Sequence, residues 1–68
     1  MRKPFSNDPS YIELTGTTIY ETDMAVLFDF GGDENKWVPK SCLEDWPDIR
    51  QNGEVIIKEQ FALEKGLI

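Results

Sequence analysis

Apolar and polar positions alternate along most of this chain with a period of two. That is the repeat of a β-strand, whose successive side chains point to opposite faces. The clearest case is 24–30, where Met24, Val26, Phe28 and Phe30 fall on one face and Ala25, Leu27 and Asp29 on the other. Both faces are apolar in the middle, so a central strand is expected. Gly31-Gly32-Asp33-Glu34-Asn35 follows as a turn, with glycines suited to positive φ. Residues 36–40 return as a short strand, with Trp37 and Pro39 on one side and Val38 on the other. Pro39 has no N–H to give to a ladder, so it marks a strand end or a sheet edge. Upstream, 11–21 is rich in β-branched and aromatic residues, with Ile12 and Leu14 on one face and Tyr11, Glu13 and Thr15 on the other. Gly16 interrupts this run in the manner of a bulge or bend. Beyond it the pattern lets either Ile19 or Tyr20 turn inward. Glu21-Thr22-Asp23 reads as a polar turn.

The second half is less regular. Ser41 with Glu44 three residues later has the arrangement of a capped single turn. Asp45, Trp46, Pro47 and Asp48 carry the chain around. Asn52-Gly53 is a turn signal, and 54–58 a last strand with Val55 and Ile57 on one face. Residues 59–65 have a helical pattern, with Phe61 and either Leu63 or Ala62 inward, Gly66 just past the end and Leu67 placed to fold back. Residues 1–9 hold Pro4 and Pro9 and read as a loose arm, either disordered or with Phe5 tucked against the body. The expected fold is α+β: about four antiparallel strands in a small sheet or partly open barrel, closed by one short C-terminal helix. Residues 10–68 form a single domain.

Composition narrows this picture. Sixty-eight residues give one domain, and a chain of that size buries only about 60% of its unfolded surface. One cysteine and no histidine leave neither a disulfide nor the ligands of a structural zinc site. The core must therefore come from side chains, and the segment 24–47, with both tryptophans and Phe28 and Phe30, is its expected centre. A free Cys42 fits a reducing cytoplasm, the expected location. The opening Met-Arg-Lys-Pro-Phe is followed by no apolar run, so neither a signal peptide nor a membrane span is expected. The net charge is −6, and residues 8–68 carry all thirteen acids against five of the seven bases. Such a surface repels nucleic acid and anionic membrane and attracts a basic partner. It also serves the solubility of any small domain.

Few reaction chemistries survive. A nucleophile needs a base beside it, and Cys42 has no histidine to pair with. Lys40 and Ser41 are adjacent on a strand end and point apart, and a capping serine beside a solvated lysine is the simpler account. Asp33-Glu34-Asn35 lacks the spacing of a calcium loop, and acids after Gly31-Gly32 oppose phosphate. No catalytic residue, cofactor or metal is expected. The rings of Trp37 and Trp46 are expected in the core rather than stacked on bases, and each basic residue of the body has an acid within a few positions, so direct nucleic-acid binding is not expected.

What remains is the acids as a surface. Alternate side chains on a strand repeat at about 6.6–6.8 Å, similar to successive phosphates on a nucleic-acid strand. Glu21 and Asp23 have this spacing, Asp29, Asp33 and Glu34 extend the charge, and Glu44, Asp45 and Asp48 add a second cluster. These eight are the candidate partner-binding residues.

The run Ala25-Val26-Leu27-Phe28, an acidic turn, Trp37-Val38-Pro39-Lys40-Ser41, and the ending Phe61-Ala62-Leu63-Glu64-Lys65-Gly66-Leu67-Ile68 carry a resemblance. Together they resemble a family of short proteins from phages, prophages and mobile elements with a W-[IV]-P-K-S motif and a terminal helix ending in E-K-G-L. The resemblance covers about residues 12–68. Family members commonly have Gln after the motif serine, where this chain has Cys42. It implies an origin in mobile DNA, and by size and charge the chain resembles acidic anti-CRISPR proteins that imitate DNA. The expected partner is then a host protein with a basic DNA-binding groove, a CRISPR surveillance complex first, bound by a monomer or weak homodimer. The alternative is a small interaction module that assists phage DNA metabolism through an apolar patch around Trp46.

Overall fold

Strand β1 (Tyr11–Glu21) is the longest element, and the other strands are arranged around it. A computed structural model of the protein describes residues 10–68; the proposed arm 1–9, with Phe5, lies outside the described residues. The sheet is antiparallel and five-stranded, in the order β3-β2-β1-β5-β4, with β2 (Ala25–Asp29), β3 (Lys36–Pro39), β4 (Leu43–Asp45) and β5 (Asn52–Lys58). It is open, with β3 and β4 as its edges. One helix, α1 (Glu59–Glu64), follows β5 directly. The α+β class therefore holds, with five strands rather than four.

The N-terminal half of β1 pairs with β5, from Tyr11 opposite Lys58 to Thr17 opposite Asn52. Its C-terminal half pairs with β2, from Thr17 opposite Asp29 to Glu21 opposite Val26. The changeover lies just past Gly16. A Cβ at Gly16 would stand 2.8 Å from Phe30 Cδ1 and 3.3 Å from the Asp29 carbonyl oxygen, so only a bare backbone lets the end of β2 lie this close. Gly16 therefore marks a close approach, whereas the bulge itself falls between Thr18 and Tyr20. That extra residue resolves the open choice between Ile19 and Tyr20. Neither turns inward, and Thr18 is the buried member of this half-strand.

The core comprises Val26, Phe28, Val38, Leu43, Val55, Ile57 and Ala62, with Ile12, Leu14, Phe30, Cys42, Trp46, Phe61 and Leu67 packed against it. In β5 Val55 and Ile57 face inward as expected, but Ile56 on the opposite face is fully buried too. In β2 the expected inward face is the observed one except at Met24. That residue precedes β2 and is 78% exposed.

The segment after β3 departs most from expectation. Lys40–Cys42 form a single 3-10 turn with Pro39 at its N-cap and no side-chain cap, so Ser41 does not cap it. Leu43–Asp45 then form β4 against β5, a strand hidden from sequence reading by its three-residue length. Asn52-Gly53 is not a turn but the first two residues of β5, where the Pro47 ring lies over Gly53. The turn falls earlier, at Arg50, which carries the positive φ of 69°. At the other end, Gly66 has φ 71°. The Gly66 N–H donates to the Leu63 carbonyl and the Leu67 N–H to the Ala62 carbonyl, the double bond of a Schellman cap. Ala62, not Leu63, is the inward helix residue, and Leu67 folds back on the core as its position predicts.

Candidate functional site

The hairpin formed by β2 and β3, extended by the second half of β1, has one face on the core and one open. On the core side Val26 opposes Val38, and Thr18 opposes Phe28. On the open side Leu27 lies between Tyr20 of β1 and Trp37 of β3, and Ala25 opposes Pro39. Tyr20 and Trp37 are 57% and 50% exposed and meet edge to face, ring centroids 6.3 Å apart and planes at 89°. Trp37 is therefore not a core residue. Val38 takes that role, because alternation allows only one of the two to face inward.

Two turns bound this open face, and both are fixed by side chains. In the β1–β2 turn the Thr22 hydroxyl accepts from the Ala25 N–H at 3.1 Å, and the Thr22 N–H donates to the Ala25 carbonyl at 2.8 Å. Asp23 and Met24 are left exposed at its apex. At the other end of β2, Asp29 Oδ1 accepts from the Gly31 N–H at 2.8 Å. The exposed loop beyond holds Asp33 and Glu34, with Glu34 3.7 Å from the Lys36 ammonium.

Glu21 has a different role. Its carboxylate accepts from the Lys40 ammonium at 2.8 Å and from the Trp46 indole N–H at 3.3 Å. Lys40 also stands 5.9 Å from the centre of the Trp46 ring. The Lys40 hydrogen bond, then the Trp46 one, holds the Glu21 carboxyl below its ordinary value. Asp45 Oδ1 accepts from the Trp46 backbone N–H at 3.0 Å. Trp46 is thus clasped by two of the candidate acids and packs on the core.

The eight candidate acids do not form one row. Glu21 and Asp23 lie at the β1–β2 turn, Asp29, Asp33 and Glu34 at the opposite end of β2, and Glu44 and Asp45 on the far sheet edge. Asp48 is exposed on the connection from β4 to β5. Glu21, Asp29 and Asp45 hold internal hydrogen bonds, whereas Asp23, Asp33, Glu34 and Asp48 project into solvent. The residues that sequence reading missed are Tyr20, Leu27 and Trp37. Their signal was present in the alternation around Val38, but apolar side chains on both faces of β2 concealed which face stayed open.

Among the described residues, no group of three or more Cys, Asp or Glu side chains is placed to hold a metal ion, and no helix is long and apolar enough to cross a membrane. No family model, curated protein or solved structure matches this chain.

Proposed function

We propose that this chain is a non-enzymatic binding protein of phage origin that occupies the cationic, DNA-binding groove of a host defence protein. A CRISPR surveillance complex is the first candidate. The observation that carries this reading is the display of acids on fixed turns. Asp23 lies at one end of β2 and Asp33 and Glu34 at the other, all exposed. A groove of lysines and arginines built for phosphates needs only matching charge at suitable places. The net charge of −6 supports the same partner class and opposes direct binding of nucleic acid. The resemblance of the W-V-P-K-S run to mobile-element proteins points the same way.

The test is competition. Purified surveillance complex is given labelled target DNA and increasing amounts of this protein, at several salt concentrations. The reading expects DNA displacement that weakens steeply with salt and falls at least tenfold in the double variant Asp33→Lys/Glu34→Lys, with the fold retained. Displacement unchanged by the double reversal sinks it.

A second reading, an interaction module of phage DNA metabolism, is favoured by the half-exposed Trp37 beside the edge of β3. It moves the contact from Trp46, which is clasped, to Trp37. It expects binding that is insensitive to salt and lost in Trp37→Ala.

A further inference from the structure

We infer that the open face of β1, β2 and β3 is a docking surface for an arginine-bearing segment of a cationic protein, with a guanidinium group seated against the Tyr20–Trp37 pair. This rests on the cationic partner proposed above and names the chemistry at the centre of its contact.

The face has an apolar middle and acidic ends. Tyr20, Leu27 and Trp37 are in register across three neighbouring strands, a span of about 10 Å at the usual strand spacing. Mutual packing across Leu27 would account for Tyr20 and Trp37 touching each other. It does not account for Pro39, also exposed and apolar and two residues beyond Trp37 on the same face. Met24 sits on the turn with Asp23. Asp29 follows Leu27 by two residues and so shares its face, with Asp33 and Glu34 just beyond.

Charge decides between occupants. Among the described residues, the cations nearest this face are already matched, Lys40 by Glu21 at 2.8 Å and Lys36 by Glu34 at 3.7 Å. A second copy of the chain would bring like-charged turns together, and a nucleic acid would bring phosphates to carboxylates. A cationic segment meets attraction at both ends. Arginine fits the middle better than lysine because its planar, weakly hydrated guanidinium stacks on aromatic rings and can also fork onto a carboxylate. Tyr20 and Trp37 offer the ring surface, and Asp29 stands on the same face within the hairpin.

The two tryptophans make the test direct. In a nitrogen-15 correlation spectrum of the full chain, the indole N–H signals report separately on the open face (Trp37) and on the core (Trp46). The probes are octa-arginine and octa-lysine peptides, added at low salt. The inference expects octa-arginine to move the Trp37 indole signal and the amides of Tyr20 and Leu27 while leaving the Trp46 signal in place. It expects octa-arginine to bind at least threefold more tightly than octa-lysine. Trp37→Ala should weaken octa-arginine binding at least fivefold, with an unmoved Trp46 signal showing that the fold is kept.

Equal response to the two peptides, centred on Asp33 and Glu34 with Trp37 unmoved, overturns the inference and leaves the cationic-partner reading standing. Binding of neither peptide overturns both. A Trp37 signal that moves when the protein alone is diluted marks the face as a contact between copies, and likewise overturns the inference.

Discussion

Two residues show how single side chains set local geometry here. Gly16 is fixed by the Phe30 ring and the Asp29 carbonyl. Gly16→Ala should destabilise the domain by about 1–3 kcal/mol, the usual cost of overpacking, because the backbone oxygen cannot yield as a flexible side chain can. Equilibrium urea unfolding reads this directly. Glu21 is held ionised by Lys40 and Trp46. Its folded pKa is lowered relative to the unfolded chain, so its contribution is complete above the unfolded value and is lost as pH falls through the folded one. About a third of its side chain is exposed, so Glu21→Gln should cost only about 1 kcal/mol at neutral pH. The gap from the parent protein should close in acid. A gap that persists at the lowest pH where both proteins fold would show that packing, not charge, sets the role of Glu21.

Elements were legible where they were long and alternating, and illegible where they were short. The strands at 11–21 and 24–30 and the helix with its Gly66 cap could be read because many side chains repeat the same signal. β4 could not, since three residues carry no period. The Asn52-Gly53 pair misled for a related reason. It has the chemistry of a turn, but pairing with Thr17 and Gly16 draws it into β5. What fixes this region is Thr18. It is fully buried, its hydroxyl donates to the Pro47 carbonyl at 2.7 Å, and its backbone exchanges bonds with Arg50 and Gln51. Thr18→Val keeps the shape and removes the donor, leaving a carbonyl without its partner, at a cost of about 1–3 kcal/mol. The amides of Arg50 and Gln51 should then exchange with solvent faster than those of the β2–β3 hairpin. Uniform acceleration would mean that Thr18 supports the whole fold rather than this segment.

At the scale of the molecule, acidity could be read from composition, but its distribution could not. The alternation of Glu21 and Asp23 placed them on one side of an extended strand. In the structure that strand ends at Glu21, so one acid turns back to Lys40 while the other reaches solvent. The exposed acids Asp23 and Asp33/Glu34 are consequently separated by the length of β2, while Glu21 and Asp45 are drawn together on Trp46. Reversing Asp48 should therefore affect partner binding less than reversing Asp33 and Glu34, as salt-dependent association rates would show. Equal losses would place the far edge in the interface as well.

The pairing of β1 with β5 bears on how the protein is made. Tyr11 waits for Lys58 and Thr17 for Asn52, so one of the first strands synthesised stays half unmatched until a late one arrives. The β2–β3 hairpin needs no such delay. During translation the chain would thus pass through a stage with a formed hairpin beside an unpaired, β-rich ribbon, the kind of edge that invites aggregation. Premature termination before β5 should leave insoluble fragments rather than a smaller working domain.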